Sequence, residues 1–173
     1  PESVARDTEV KAALKRDGLD ARSFGGHLMF EPWTVETKEG GFYKVYTPFW
    51  RAVRGREVES PLPAPGRIPA PDAWPESERL EGGRLGAAMD RGAAVVEPYT
   101  RVGERAAQGR LGHFIARIVE GYGESRDRPA EDGTSCLSEN LSLGEISPHQ
   151  CWHAGRRAME EGKAGAETFL QEL

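Results

Sequence analysis

The sequence is short of cysteine, of long apolar runs and of positive charge. Its two cysteines, Cys136 and Cys151, are too few for a disulfide scaffold, which favours a reducing compartment. Apolar stretches fall well short of the roughly 18 residues of a membrane span, and the first residues lack the pattern of a signal peptide. We therefore expect a soluble, cytoplasmic protein. The 23 Lys and Arg against 28 Asp and Glu exclude a general nucleic-acid coating protein, but not one basic face.

Hydrophobic residues are also scarce at 38%, whereas glycine (21 residues) and proline (12 residues) are abundant. Such a composition predicts a modest core and many turns. Six of the prolines lie in one run, PLPAPGRIPAPDAWP, between Pro61 and Pro75. Because proline has a fixed φ and no amide donor, this run is expected to be an extended, semi-rigid connector between two units.

Before the connector, DTEVKAALKRDG predicts a helix that stops at Gly18. HLMFEPW and GFYKVYTPFW are rich in aromatic and β-branched residues between Gly and Pro, which predicts short strands. Thr47 and Pro48 are suited to the cap and first position of a helix that follows.

After the connector the apolar spacing becomes helical. In RAAQGRLGHFIARIVEGYG the apolar residues recur at i, i+3, i+4, i+7, i+8 and i+11 from Leu111 to Tyr122, which predicts one amphipathic helix. Ser147 followed by Pro148 and Gln150 is a capping-box pattern. AGAETFLQEL predicts a last helix with no stop signal after Leu173, and we therefore expect a fragment.

The segment from Gly133 to Ser138 is the best candidate for binding chemistry. Thr134, Ser135 and Ser138 follow a glycine close to a predicted helix start, where hydroxyls and free amides can hold a phosphate or pyrophosphate. The alternative is that Thr134 and Ser135 only cap the helix, which is the more common role of such residues.

These residues belong to a longer pattern. GTSxLSxxLxxGxISPxxxW, preceded by YxxxRDxP, resembles the flavin-binding segment of the DNA photolyase and cryptochrome family. Upstream, FEPW followed by GGFYKVYTPFWRA resembles the end of that family's amino-terminal domain, and the terminal QEL resembles the start of its QELxWREF motif. The three motifs stand in the family's order, and only the region from 61 to 101 matches in character alone.

The resemblance implies a mainly α chain in three parts. Residues 1–57 would be the tail of an α/β, Rossmann-like antenna domain, 58–100 the proline-rich interdomain connector, and 101–173 the opening helices of an all-α FAD-binding domain. It also implies FAD as cofactor, with an antenna chromophore such as methenyltetrahydrofolate bound mostly outside these residues. The positions that match FAD-contacting residues of the family are Tyr122, Thr134, Ser135, Leu137 and Ser138.

Two further positions match residues on the DNA side of the family's pocket. Arg126 matches an arginine at the lesion, and Glu172 a glutamate that bonds the damaged pyrimidine pair and stabilises its radical anion. In such enzymes blue light excites reduced FAD, an electron opens the cyclobutane pyrimidine dimer, and the electron then returns. Apart from the resemblance, Tyr122 could be a core residue, Arg126 with Asp127 a surface ion pair, and Glu172 a solvated carboxylate.

Some features depart from the family, and they define the alternatives. Cys136 stands where relatives often have Arg or Gly, and His149 where they have Arg. The chain also lacks the family's later segment around the flavin ring. We expect the middle third of a photolyase that catalyses no repair alone. The alternatives are part of a cryptochrome-type light receptor, or a helical fragment that binds no flavin and self-associates through exposed apolar surface.

A rival metal site would use His149, Cys151 and His153. The two histidines share one helix face, but Cys151 points about 200° away, so one helix offers only half of a zinc site and we predict none. The tryptophans are scattered, and packing explains them better than base stacking or electron relay; they are Trp33, Trp50, Trp74 and Trp152.

Overall fold

The computed structural model describes residues 2–173, and within that range the chain forms helices and loops but no β-strand. None of the helices in this range combines the length and the apolar character needed to cross a bilayer. The mainly α prediction is therefore confirmed. The α-helices are α1 Glu2–Arg16, α2 Tyr46–Val53, α3 Arg91–Val96, α4 Glu104–His113, α5 Tyr122–Ser125, α6 Ser138–Ser142, α7 Pro148–Glu160 and α8 Ala166–Gln171.

The two predicted strands are wrong. HLMFEPW contains a 3₁₀ turn at Pro32–Thr34, and the second half of GFYKVYTPFW lies in α2. A strand needs a partner to satisfy its backbone groups, and residues 2–173 supply no pairing strand, whereas a helix pairs its own N–H and C=O groups. Helix α2 also begins one residue before Thr47, with Val45 as its uncapped N-terminal neighbour, so Thr47 is not the cap.

Helix α2 is one of the parts of the amino-terminal segment that contact the rest of the chain. Helix α1 buries no residue and stops before Gly18, whose φ of +79° ends the helix as predicted. In α2, Val53 is buried and the Trp50 ring lies edge-on to Trp152 of α7, with centroids 6.3 Å apart. This aromatic contact joins the beginning of the chain to the carboxyl-terminal helices.

The proline-rich run is irregular and exposed. Residues 61–75 form neither helix nor strand, and every residue from 59 to 91 is exposed. Regular structure returns as two 3₁₀ turns, Leu80–Gly83 and Ala87–Met89, and then as α3. The domain limits of 57/58 and 100/101 stay a prediction.

The predicted amphipathic helix exists but is not uniform. It runs as α4, a π-helical turn at Phe114–Ile118, a 3₁₀ turn at Val119–Gly121 and then α5. Lys163 donates to the Ile115 carbonyl at 2.7 Å, which satisfies an acceptor in the π-helical turn. The predicted stripe faces the core, with Leu111, Phe114, Val119 and Tyr122 buried and the two isoleucines partly buried.

Helices α7 and α8 complete the core. The capping box at α7 is confirmed. The backbone N–H of Gln150 donates to Ser147 Oγ at 3.2 Å, and the backbone N–H of Ser147 donates to Gln150 Oε1 at 2.9 Å. Gly155 of α7 allows α8 to approach, since a Cβ there would lie 3.1 Å from the Phe169 ring. Phe169 and Leu170 are thereby buried, and the position of α8 determines where its last residues lie.

Candidate functional site

Tyr122 begins α5 and lies at the inner wall of the candidate site. It is 9% exposed and packs edge-on against Phe114 at 5.3 Å and Phe169 at 6.0 Å between ring centroids. Desolvation by burial is the main cause of its raised pKa; Arg126 opposes that shift and Glu172 adds to it. Tyr122 is therefore a core residue whose phenol stays neutral at physiological pH.

Arg126 and Glu172 form an ion pair beside Tyr122. The Arg126 guanidinium lies 5.9 Å from the centre of the Tyr122 ring and donates through Nη1 to Glu172 Oε1. That hydrogen bond is the main cause of the raised pKa of Arg126. The two side chains are 28% and 47% exposed, so the pair is open to solvent and to a ligand. Three residues predicted for the site thus converge although Glu172 is distant in sequence.

Tyr46 is a site neighbour that the sequence did not reveal. Its hydroxyl donates at 2.6 Å to the carbonyl of Gln171, the residue before Glu172. Its pKa is raised, first by desolvation and then by the negative charge of Glu172. No local pattern could have revealed a bond between residues 125 positions apart.

The hydroxyl segment, residues Thr134–Ser138, follows Gly133, which contacts Ser125 at the end of α5. Ser125 Oγ is 3.3 Å from the Gly133 carbonyl, and a Cβ on Gly133 would lie 2.7 Å from atoms of Ser125. Only a glycine fits at position 133, because it packs against Ser125, the residue before Arg126. The segment therefore begins against the residue that precedes Arg126.

The hydroxyl residues do not cap α6. This helix begins at Ser138 after Leu137, with no side-chain cap, so the capping interpretation of Thr134 and Ser135 is wrong. Thr134 and Ser138 are exposed and Ser135 is half-buried, whereas Leu137 is 2% exposed and belongs to the core. Among the residues that the structure describes, no acceptor is found for the backbone amides of Thr134 to Leu137. The segment thus offers free amides beside exposed hydroxyls.

Arg110 of α4 supports this segment from the other side. It donates to the Cys136 carbonyl at 2.8 Å, to Asn140 Oδ1 at 3.0 Å and to the carboxylate of Glu139. The pKa of Glu139 is lowered, first by the backbone amide of Arg101 and also by Arg110. Arg110 and its partners, which sequence reasoning missed, fix the carbonyl at the centre of the hydroxyl segment.

The larger cavities lie away from the predicted residues. One of about 630 Å³ lies between α4 and α7 and is lined by Leu111, Ala154 and Arg157 among others. Another of about 660 Å³ lies beneath the start of the connector, against Phe30 and His149. None of the seven predicted site residues lines either cavity.

The rival metal residues have other partners. The His153 ring bonds the Glu59 carbonyl at 3.0 Å, and Cys151 is fully buried in the core. Packing explains Trp50 and Trp152, which contact each other, but not Trp33 and Trp74, which are 72% and 77% exposed.

The two cysteines should differ sharply in reactivity. Cys136 is exposed, whereas burial raises the pKa of Cys151 to about 11. We expect a thiol reagent at about pH 8 to label one thiol per folded chain, two after denaturation, and none in folded Cys136→Ser. Because the folded pKa of Cys151 exceeds the unfolded value of about 8.5, its contribution to stability is complete below about pH 8.5 and is lost towards pH 11. Fast labelling of both thiols in the folded protein would contradict this prediction.

Comparison with known proteins gives consistent matches. The sequence model of the DNA photolyase family matches residues 1–67. The deoxyribodipyrimidine photo-lyase of Agrobacterium fabrum is 43% identical over 155 residues, 89% of this chain and 32% of that protein. Cryptochrome-2 of Arabidopsis thaliana is 26% identical over 185 residues, 99% of this chain and 30% of that protein.

A solved structure agrees with these matches along the chain. The crystal structure of a bacterial class III photolyase from Agrobacterium tumefaciens superposes with a TM-score of 0.87 at 39% identity, over 99% of this chain and 35% of that one. The chain spans about a third of the length of the relatives it matches here.

Proposed function

The chain belongs to the DNA photolyase and cryptochrome family, and on that premise we propose that it forms part of a deoxyribodipyrimidine photolyase, a lyase that repairs pyrimidine dimers in DNA with light. The observation that carries the proposal is the hydroxyl segment, whose unpaired amides and largely exposed hydroxyls follow Gly133, which packs against Ser125, the residue before Arg126 of the Arg126–Glu172 pair. This arrangement combines donors for a pyrophosphate with a charged pair for DNA.

The residues present fit FAD. The amides of Thr134 to Leu137 and the hydroxyls of Thr134, Ser135 and Ser138 are the donors that would hold its pyrophosphate. Tyr122 and Leu137 would contact the cofactor from the core side, as the matching family positions do. Bound and reduced, FAD would supply under blue light the electron that opens the cyclobutane ring of the dimer and then returns, so that the reaction needs no net reductant.

Arg126 and Glu172 would receive the lesion. The guanidinium has five N–H donors, so Arg126 can keep its bond to Glu172 while it binds a DNA phosphate. Its bond to Oε1 leaves the second carboxyl oxygen of Glu172 available to the damaged bases. Such enzymes bring the lesion out of the duplex, and the open surface beside the pair is compatible with that motion.

The rest of the proposal concerns the whole protein. We propose that its partner is DNA that contains pyrimidine dimers, that an antenna chromophore is held largely by other residues, and that these 173 residues alone catalyse no repair. The free cysteines are consistent with a reducing compartment, and we propose the cytoplasm.

The proposal is tested on the protein that contains these residues, loaded with FAD and reduced. It is irradiated with an oligonucleotide that carries a thymine dimer, and restored thymine is counted per absorbed photon. We expect Glu172→Gln to lower this yield by about ten-fold or more, the effect of one charged hydrogen bond. Glu167→Gln, an exposed change on helix α8 directly before Glu172, serves as the control and should leave the yield unchanged.

Each other outcome supports a different function. A protein that keeps FAD but splits no dimer would be a cryptochrome-type light receptor. One that retains no FAD would support the self-associating alternative, which gel filtration would then examine. If dimers are split equally well by Glu172→Gln, the proposed role of Glu172 is wrong although the enzyme class stands.

A further inference from the structure

Arg110 is almost enclosed, which is unusual for an arginine on a surface helix. Its side chain is 17% exposed, and its donors face four acceptors on two other parts of the chain. Three acceptors belong to the region from Cys136 to Asn140, and the fourth is the Tyr99 carbonyl, bonded by Nη2 at 2.8 Å. One fixed guanidinium thus joins α4, the end of the connector and the hydroxyl segment.

The hydroxyl segment contains a backbone conformation that needs such support. Cys136 has a φ of +51°, in the left-handed region that residues other than glycine rarely adopt. A strained residue of this kind persists only when its surroundings determine it. The Arg110 bond to the Cys136 carbonyl, at 2.8 Å, holds the backbone of this residue, and its thiol lies 3.5 Å from the Thr134 hydroxyl.

The residues directly after the connector are bound into the same network. Asn140, fully buried, donates to the Arg101 carbonyl at 2.7 Å and to Glu145 Oε2 at 2.6 Å. Glu145 in turn accepts from the Gly103 amide at 2.6 Å, and Glu139 from the Arg101 amide at 3.1 Å. The network leaves the segment with little freedom as long as the connector end stays in place.

We propose that Arg110 is a positioning residue for the cofactor. It fixes the strained backbone of the hydroxyl segment and is itself bound to the Tyr99 carbonyl at the connector end. The free amides are thereby already arranged before FAD binds. The inference rests on the proposed function, because the hydroxyl segment is the proposed pyrophosphate site. Binding to a preordered site carries a smaller entropic cost, because the loop is already ordered. Loss of Arg110 should therefore weaken FAD binding.

The test compares Arg110→Lys with Arg105→Lys, an exposed position on the same helix. Lysine keeps the charge but cannot replace the forked bonds. In the protein without FAD, we expect ¹⁵N relaxation order parameters of Thr134–Ser138 to fall from about 0.85 to below about 0.6 in Arg110→Lys, with the core amides unchanged. We also expect about ten-fold weaker FAD binding. Arg105→Lys should change neither quantity.

The two readouts separate the inference from the function on which it rests. If no variant, including the wild type, binds FAD, the proposed function fails, while the order parameters still decide the role of Arg110. An equally ordered segment in Arg110→Lys would overturn the inference. Should Arg110→Lys not fold, Glu139→Gln removes one partner of Arg110, and a two- to three-fold loss of FAD affinity with increased motion confined to Thr134–Ser138 is then expected; an unchanged segment would overturn the inference here too.

Discussion

Replacing Gly165 with alanine is expected to destabilise the protein by about 3 kcal/mol or more. Gly165 is buried just before α8, where a Cβ would collide with the Val119 carbonyl and lie 3.0 Å from Tyr122 Cβ. Backbone atoms in a packed core cannot move aside as a flexible side chain can. Helix α8 would be displaced, and Glu172 with it. Chemical denaturation of the variant measures the loss of stability.

Gly109→Ala is the matched control for this substitution. Gly109 lies inside α4, and a Cβ there would meet nothing within 4 Å. Alanine favours the helix, so we expect a gain of about 0.5–1 kcal/mol. Equal effects at the two glycines would show that the approach of α8 to Val119 is not as close as described.

The parts of the fold that sequence reasoning predicted are those with local causes. The capping box at Ser147 needs only residues three positions apart, and the stripe from Leu111 to Tyr122 needs only a helical period. The exposed connector follows from proline chemistry at 61–75. In each case the physical determinant lies inside the segment that it shapes.

The strands were mispredicted because their determinant lies elsewhere. Aromatic and β-branched residues favour a strand only where a partner strand is available. Here Val53 is buried and Trp50 partly buried on the inner face of α2, and the Trp50 ring packs against Trp152. The same residues that indicated a strand therefore pack as a helix.

The candidate site divides in the same way. The hydroxyl segment was visible as a local pattern, but Arg126 and Glu172 were predicted only from the resemblance to the family. Arg110 is a charged residue among the buried positions Ala107 and Phe114 of its helix face, and nothing in its sequence neighbourhood indicates its partners at 99, 136 and 139. Ion pairs and buried networks depend on how elements pack, which a single sequence does not display.

The second large effect is expected at the aromatic centre of the core. Phe114 is 1% exposed and contacts both Tyr122 and Phe169, with the Phe169 ring 4.7 Å away between centroids. Phe114→Ala would remove apolar contacts and leave a cavity, which costs about 3–5 kcal/mol. Tyr122 would lose one of its two aromatic neighbours, so its ring would no longer be fixed beside Arg126. Urea unfolding, followed by near-ultraviolet circular dichroism of the aromatic residues, reports both effects.

Phe42→Ala controls for the loss of a phenyl ring as such. Phe42 is 75% exposed, so its removal should change stability by less than about 0.5 kcal/mol. If Phe114→Ala does not fold, Phe114→Leu keeps most of the volume and should cost about 1.5 kcal/mol or less. A Phe114→Ala variant as stable as Phe42→Ala would mean that the phenylalanine pair is not the centre of the core. Tyr122 and α8 would then need another explanation for bringing Arg126 and Glu172 together.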